Sequence, residues 1–278
     1  MEPIVRFIKS PQNPLVRDIR ALHRNKVRRS RQQFIIEGVR LLEEALNSDC
    51  VVETVLYCSE TGADSKLQDL LGQLAKKSNS SIIPVTRSVI TSISETTTPP
   101  GLVAVVNHPP LPDMAAIVAS TDLAVLADRI QDPGNAGTII RTAEAAGAGG
   151  VFLSFGSVYP FASKVIRSAM GSLFRLPVKS LSDEGSKLCQ YCLAKGWQLA
   201  FAVPDQGIPW WKIDFNQPTL IILGNESSGI NGSLLRFPGV KASIQLTAAV
   251  ESLNVAAAGA VLLFEAVRQR WAQGQNIK

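Results

Sequence analysis

The sequence has little of what marks secreted, disordered or membrane-spanning proteins. Its 278 residues include four cysteines, too few for the disulfide framework of a small secreted domain. Charged residues make up 18% and hydrophobic residues 46% of the chain, a balance that argues against disorder. The longest apolar run, residues 255–264, is about half as long as a membrane span requires. Residues 1–10 do not have the pattern of a secretory signal. We therefore expect a cytoplasmic protein without a membrane partner.

Two motifs that often carry chemistry are missing or incomplete. No G-x-G-x-x-G fingerprint follows a predicted strand, which argues against a nucleotide-dependent α/β enzyme. Cys189 and Cys192 form a single C-x-x-C pair, whereas a structural zinc site needs four ligands and no second pair lies nearby. We expect these two thiols to pack inside the protein and no metal to bind.

Positive charge is concentrated in the first 40 residues. That segment carries a net charge of +7 and the remaining chain −2, and no acidic residue lies between Arg20 and Arg31. The helical spacing of the arginines predicts a basic stripe along one helix. Clustered arginine is typical of surfaces that contact nucleic-acid phosphates, although solvated helix faces also carry it. The predicted RNA-binding residues are Arg17, Arg20, Arg24, Lys26, Arg28, Arg29 and Arg31.

Strands and helices alternate along the chain, which predicts an α/β protein. The strands are continuous apolar runs, as in a mostly parallel sheet with helices on both faces. Three prolines between residues 109 and 112 predict a linker. We therefore predict domains at 1–107 and 119–278, joined by a Pro-rich linker at 108–118. The predicted strands are 34–37, 51–57, 81–85, 101–106, 122–127, 151–154, 198–203, 219–223 and 242–246, and the predicted helices are 39–46, 65–77, 137–146, 161–174, 186–195 and 252–271.

The first segment with candidate site residues is 128–144, where a predicted strand leads through a Pro-Gly turn into a helix. The carboxyl end of a parallel strand at a helix N-terminus is where α/β folds bind ligands. Asn135 can cap this helix or face a site. Arg141, two turns further on, extends to solvent or points into a site. Both pairs of roles stay open at this point.

Two later segments have the same character. Residues 220–230 run from an apolar strand into a polar turn with Glu226 at its tip, although an ordinary tight turn has the same pattern. Residues 251–260 place Ser252 and Asn254 at the start of a helix of small and apolar residues, a position that such side chains favour. Because these segments and 244–246 lie where strands end or helices begin, we predict that they form one site.

Together these segments resemble the SpoU/TrmH-type RNA 2′-O-ribose methyltransferases of the SPOUT class. Asn135-x-Gly-x-x-x-Arg141 and the segments 223–226 and 251–255 are similar to the three motifs of that family, in its order and with its spacing. The resemblance is close over 122–270 and includes the intermediate stretch 164–178. Ser227 stands where the family usually has glycine, and Ser168-Ala169 reverses its commoner order.

The resemblance implies a fold, a cofactor and an assembly. The fold is α/β, with a C-terminal trefoil-knotted, mostly parallel sheet domain and a smaller N-terminal domain, 1–106, that resembles more loosely the L30e-like RNA-binding domains of many members. Such proteins bind S-adenosylmethionine in the knot and form homodimers with sites near the interface. Carried over by position, the cofactor-binding residues are Leu223, Gly224, Asn225, Ile244, Leu246 and Leu253.

The implied reaction transfers a methyl group from a sulfonium to a ribose 2′-hydroxyl, which requires in-line orientation and a route for the hydroxyl proton. A guanidinium holds its proton far above neutral pH. Two roles therefore stay open for Arg141: it places the hydroxyl through the target phosphate, which we favour, or an apolar site turns it into a base. Two locations also stay open: Arg141 acts at the site of its own subunit or at that of the partner subunit. The residues expected at the reacting hydroxyl are Asn135, Arg141, Glu226, Ser252 and Asn254.

The basic N-terminal region favours ribosomal RNA as the substrate, and large-subunit RNA within it, over transfer RNA. A tRNA methyltransferase is one alternative, and a non-catalytic RNA-binding protein of the same fold is another. The intact set of site residues argues against the second alternative. The sequence does not name the methylated nucleotide.

Overall fold

The computed structural model describes residues 7–58, 65–77, 80–247 and 251–274. The chain divides into two compact units. Unit 1 contains the chain up to Pro110 together with Phe161–Arg167, and unit 2 contains Leu111–Pro160 and the chain from Ser168 onward. The first boundary falls within the Pro-rich segment. The assignment of 161–167 to unit 1 has no counterpart in the sequence pattern, because it depends on contacts between distant segments.

Unit 1 is built on a four-stranded mixed sheet with the order β1-β4-β2-β3. Strand β4 is antiparallel to β1 and β2, whereas β2 and β3 are parallel. All four strands were predicted to within one or two residues. The strands are β1 Gln33–Glu37, β2 Val52–Cys58, β3 Ser81–Val85 and β4 Leu102–Asn107, and the helices are α1 Pro14–Ala21, α2 Asn25–Arg31, α3 Val39–Leu46, α4 Ser65–Lys77 and α5 Arg87–Ile93.

The predicted basic stripe is wrong, because the arginines do not lie on one helix. Helix α1 ends at Ala21 and α2 begins at Asn25. Arg28 is only 3% exposed, and its guanidinium donates to the His23 carbonyl at 2.9 Å and to Ser163 Oγ at 3.0 Å. A buried guanidinium with these partners is structural, so Arg28 does not belong to an RNA-facing set.

Asp18 also reduces the basic charge. Arg31 donates to both carboxylate oxygens of Asp18, at 2.7 and 2.6 Å, and this hydrogen bond lowers the pKa of Asp18. Asp18 lies before the stretch from Arg20 to Arg31 that has no acidic residue, so the sequence did not show that it neutralises Arg31. Arg20 is partly exposed, and the exposed cations of the predicted set are Arg17, Arg24, Lys26, Arg29 and the paired Arg31.

Unit 2 contains a seven-stranded, wholly parallel sheet with the order β7-β6-β5-β10-β8-β11-β9. Every residue of β5 and β10 is buried, which confirms the prediction of a parallel sheet covered on both faces. The strands are β5 Leu123–Ala127, β6 Val151–Leu153, β7 Val178–Ser180, β8 Gln198–Val203, β9 Ile208–Pro209, β10 Thr219–Leu223 and β11 Val240–Ser243. The helices are α6 Met114–Ala119, α7 Pro133–Ala145, α9 Ser186–Ala194 and α10 Val255–Ala272, while α8 Ser163–Ala169 begins in the 161–167 segment of unit 1 and ends in unit 2.

Two element predictions in this region need correction. The helix predicted at 161–174 is only Ser163–Ala169, because Met170 and Gly171 adopt positive φ angles of 49° and 94° and turn the chain. The strand predicted at 242–246 is Val240–Ser243, so residues 244–246 lie beyond its carboxyl end. Strands β7 and β9, of three and two residues, are too short for sequence periodicity to reveal.

The order of the strands locates the ligand-binding edge of the sheet. From β5 the chain continues to β6 and β7 on one side, while β10 lies on the other side of β5. In parallel α/β sheets, ligands bind beyond the carboxyl ends of strands at such a switch point. Helices α7 and α10 pack against each other beside it. Gly259 permits α10 to approach β10, because a Cβ there would lie 2.8 Å from Leu223 Cδ1.

Candidate active site

A buried carboxylate fixes the loops at this edge of the sheet. Asp128, directly after β5, is fully buried. It accepts hydrogen bonds from Ser154 Oγ after β6, at 2.9 Å, and from the Asn231 backbone N–H, at 2.7 Å. Sequence reasoning missed Asp128, although a charged residue at the end of an apolar strand was a visible signal. Its hydrogen bonds hold three loops in register.

The first turn of α7 leaves the side chain of Asn135 available to the site. The helix begins at Pro133, and its N-cap is Asp132, whose carboxylate accepts from the Asn135 backbone N–H at 2.8 Å. The predicted helix of 137–146, with Asn135 as a possible cap, is therefore corrected at its start. Asp132 is the better placed acceptor because it precedes a proline at the first helical position.

Three side chains from the three predicted motifs form one chain of hydrogen bonds. Asn254 caps α10, its Oδ1 accepting from the backbone N–H groups of Ala256 and Ala257. Its Nδ2 donates to Asn135 Oδ1 at 2.9 Å, and Asn135 Nδ2 donates to Glu226 Oε1 at 2.9 Å. The direction of donation is the same throughout. The structure thus brings together Asn135, Glu226 and Asn254.

The turn after β10 is held by Asn225. Its Oδ1 accepts from the backbone N–H groups of Ser227 and Ser228, both at 3.0 Å, and its Nδ2 donates to the Arg129 carbonyl at 2.8 Å. Gly224 is required at the start of this turn, because a Cβ there would lie 2.4 Å from the Ile230 nitrogen. The turn therefore presents Glu226 in a fixed position, and a serine at 227 is accommodated.

A cavity of about 350 Å³ opens beside these groups. Its size is within the range of small-molecule sites, and apolar walls with a few polar groups are typical of them. Five of the six predicted cofactor residues line it; Leu223 instead lies in the core beneath, close to Gly259. The lining includes Gly224, Asn225, Glu226, Ile244, Leu246, Ser252, Leu253 and Asn254, together with Val203, Val255 and Leu262.

Comparison with known protein families agrees with this arrangement. Residues 122–264 match the SpoU rRNA methylase family, and residues 13–104 match the MRM3-like substrate binding domain. The chain belongs to the SpoU rRNA methylase family. The resemblance inferred from the three motifs is thereby confirmed.

Similar proteins align with this SpoU family member over nearly its full length. An uncharacterised tRNA/rRNA methyltransferase of Synechocystis is 36% identical, over 95% of this chain and 94% of the relative. The 23S rRNA (guanosine(2553)-2′-O)-methyltransferase RlmP of Bacillus subtilis is 33% identical, over 92% of this chain and 97% of the relative. The crystal structure of an AdoMet-bound rRNA methyltransferase from Sinorhizobium meliloti has 30% identity and a TM-score of 0.83, covering 95% of this chain and 97% of that one.

Arg141 of this SpoU protein stands apart from the cavity. It lies on α7, about two turns beyond Asn135, with an exposed side chain, and it does not line the cavity. Within the described parts of the chain, no group forms a hydrogen bond or ion pair with its guanidinium. The structure therefore does not bring Arg141 together with Asn135, Glu226 and Asn254.

The cysteine pair has the character of a core contact. Cys189 and Cys192 lie in α9, buried in the hydrophobic core of unit 2, and burial raises the pKa of each thiol to about 12. Protonated thiols are poor nucleophiles and metal ligands.

Among the residues with described positions, no group of three or more His, Cys, Asp and Glu side chains could hold a metal ion. Over the same ranges, no helix is long and apolar enough to cross a membrane.

Proposed function

We propose that the protein transfers a methyl group from S-adenosylmethionine to a ribose 2′-hydroxyl of large-subunit ribosomal RNA. The observation that carries the proposal is the hydrogen-bonded chain from Asn254 through Asn135 to Glu226 at the mouth of the cavity. A Bacillus relative named as a 23S rRNA 2′-O-methyltransferase, aligned over nearly its whole length, supports the substrate class. The name of the Synechocystis relative leaves tRNA as the second candidate.

The cavity fits the proposed cofactor in size and in the chemistry of its walls. Apolar side chains of Ile244, Leu246 and Leu253 suit a purine ring and the carbon chain of methionine, while Ser227 and Ser252 in the lining offer hydrogen-bonding groups. When bound, S-adenosylmethionine supplies an electrophilic methyl group on its sulfonium. The AdoMet-bound Sinorhizobium structure supports this assignment.

The residues of the chain itself orient the acceptor. Glu226 is held by Asn135, and Asn135 by Asn254, so the carboxylate is preorganised beside the cavity. Ser252 lines the same rim. We assign to Asn135 and Glu226 the placement of the ribose, since hydrogen-bonding groups fixed before binding lower the entropic cost of alignment.

Arg141 fits the role of a positioning cation. Its guanidinium is exposed and unpaired among the described residues, and such a group can bind a phosphate bidentately. We therefore assign to Arg141 the capture of the target phosphate, which places the 2′-hydroxyl for in-line attack. The hydroxyl proton then leaves to water.

Arg141 does not line the cavity of its own chain. In a homodimer it could instead act at the cavity of the partner subunit. Helix α10 presents Phe264, 48% exposed, and Trp271, 64% exposed, on one stripe with Ala257. Exposed apolar side chains on one helix stripe are typical of interfaces. We propose that two copies pair through α10, with Arg141 of each serving the other. We further propose that the sheet of unit 2 contains a trefoil knot, that residues 1–107 bind RNA, and that the protein is cytoplasmic.

Methyl transfer to defined RNA pools tests the function. The protein is incubated with labelled S-adenosylmethionine and deproteinised large-subunit RNA, small-subunit RNA or total tRNA from a strain lacking the gene, with Asn135→Ala as the inactive control. Label in large-subunit RNA, resistant to alkaline cleavage at one nucleotide, is the expected result. Label confined to tRNA would overturn the substrate, and cofactor binding without transfer to any pool would favour a non-catalytic RNA-binding protein.

A further inference from the structure

Phe155 is the most exposed large apolar side chain in the described ranges of the chain. Its exposed fraction is 71%, whereas a phenylalanine normally contributes to a core or an interface. It directly follows Ser154, at the carboxyl end of β6. The ring therefore lies on the edge of the sheet that also carries the candidate active site.

The backbone beneath Phe155 is fixed on both sides. Its own N–H donates to the Asp183 carbonyl at 2.7 Å, and the Ser154 N–H donates to the Ala127 carbonyl at 3.1 Å. Two residues further on, the Ser157 N–H donates to the Ser154 carbonyl at 3.1 Å. A ring held out to solvent on an anchored backbone is preorganised for contact, because its backbone loses little freedom on binding.

Two hydrogen bonds connect this segment to the rim of the cavity. Ser154 Oγ accepts from the Arg129 N–H at 2.8 Å, and the Arg129 carbonyl accepts from Asn225 Nδ2 at 2.8 Å. Asn225 lines the cavity. The segment that carries the ring is thus hydrogen-bonded to the loops that hold Glu226.

A cation lies beside the ring's segment. The stem of Arg129 passes close to Gly156, where a Cβ would lie 3.5 Å from Arg129 Cγ, and its guanidinium donates to the Gly229 carbonyl at 3.0 Å. Gly156 is exposed and Ser157 is partly exposed, so the two residues that follow Phe155 add no large apolar surface to the ring. Protein interfaces bury wider surfaces than one ring, whereas a base stacks on a single ring.

We propose that Phe155 is a stacking platform for an unpaired nucleobase that flanks the methylated nucleotide. Proteins recognise single-stranded RNA by stacking splayed bases on aromatic side chains, and a ring has no hydrogen-bonding groups of its own to select among bases. Phe155 therefore selects for an unpaired base at that position and holds the RNA in register with the cavity. The inference rests on the proposed function, because it requires an RNA substrate at this edge of the sheet.

Substitutions that separate aromatic stacking from apolar size test this role. Phe155→Ala and Phe155→Leu are expected to raise the KM for deproteinised large-subunit RNA about tenfold, with kcat and cofactor affinity unchanged. Phe155→Tyr and Phe155→Trp keep a stacking face and should retain the wild-type KM. Trp211→Ala is the matched control, since this tryptophan is half exposed and follows β9, the outermost strand on the other side of β5 from β6. A Leu variant that equals wild type would overturn the proposal.

Photocrosslinking provides a readout that does not need turnover. Wild-type protein irradiated with the same RNA should yield a crosslink between one nucleotide and the peptide that contains Phe155, located by mass spectrometry. A crosslink without methyl transfer would support the stacking site and count against the proposed function. Methyl transfer without that crosslink, at a KM unaffected by Phe155→Ala, would overturn the stacking site alone. Dissociation of an oligomer by Phe155→Ala would assign the ring to a protein contact and also overturn it.

Discussion

Asn254 donates a hydrogen bond to Asn135 Oδ1 at 2.9 Å although 119 residues separate them in sequence. The cap of α10 determines this contact. Because Asn254 Oδ1 accepts from the first-turn N–H groups of the helix, only its amide N–H faces Asn135. Asn135 must then turn its own N–H group toward Glu226. A helix cap thereby sets the orientation of a side chain in the site.

Asn254→Asp should separate capping from positioning. Aspartate caps a helix about as well as asparagine, so the free energy of unfolding should change by less than about 0.5 kcal/mol. A carboxylate cannot donate to Asn135, so kcat for methyl transfer should fall about tenfold or more. Urea unfolding and single-turnover methylation measure the two effects. Asn254→Ala is the comparison, since its free energy of unfolding should fall by about 1 kcal/mol in addition to the fall in kcat. Wild-type kcat in the Asp variant would contradict the role of the amide chain.

Arg141→Lys should reduce methyl transfer by about 100-fold, the order observed when one preorganised donor is removed. Lysine keeps the charge but lacks the planar fork that binds a phosphate bidentately. Cofactor affinity, measured by calorimetry, should not change, because Arg141 does not line the cavity. Arg236→Lys, at another exposed position of unit 2, is the matched control. A near-normal rate in Arg141→Lys would show that the fork is unnecessary.

Mixed dimers test whether Arg141 acts across subunits. Arg141→Ala retains an intact cavity, and Leu253→Trp fills the cavity but retains Arg141. Each variant alone should be inactive, whereas co-expressed chains should recover part of the wild-type rate. The intact cavity of one subunit would then be served by the arginine of the other. Absence of recovery in a confirmed mixed dimer would place Arg141 at its own subunit's site.

Neutralising exposed cations of unit 1 should weaken RNA binding and its dependence on salt. Arg17, Arg24 and Lys26 are exposed, and replacing all three by glutamine removes three candidate phosphate contacts. The slope of log K against log salt should become shallower by about 2. The control is an equal change of charge on unit 2, made by replacing the exposed residues Lys187, Lys195 and Lys241. Equal effects of the two triple variants would remove the N-terminal surface from the RNA-binding account.

Stability should depend on pH through His108. Its ring stacks on Phe161 with centroids 3.9 Å apart, and burial lowers its pKa from 6.5 to about 4. Between these pH values the unfolded chain binds a proton that the folded chain does not. The contribution of His108 to the free energy of unfolding is therefore fully present above pH 6.5 and is lost as the pH drops toward 4.

His108→Phe keeps an aromatic ring in this stack and has no titrating group. Its stability should therefore decline less than that of wild type when urea unfolding at pH 7.5 is compared with unfolding at pH 5. Because both proteins share every other titrating group, their difference reports His108 alone. Parallel pH profiles would contradict the assignment.

Much of the architecture was determined by the sequence through local patterns. Continuous apolar runs predicted β5, β8 and β10, and the helical spacing of the leucines in 65–77 predicted α4 with its observed bounds. The three motif segments were predicted to form one site because each follows a strand or opens a helix. Strand ends of a parallel sheet share an edge, so local reading sufficed to bring them together.

The tertiary structure decided what depends on contacts between distant segments. The sequence could not show that Arg28 is buried against Ser163, that Asp132 rather than Asn135 caps α7, or that Asp128 joins three loops. Helical spacing reports which side chains share a face, but not which face another segment covers. The sequence by itself determined the family and the mostly parallel sheet, and its motifs predicted the contact of Asn135, Glu226 and Asn254. Only folding decided the orientation of the site side chains and which cations stay exposed, because both depend on neighbours more than 100 residues away.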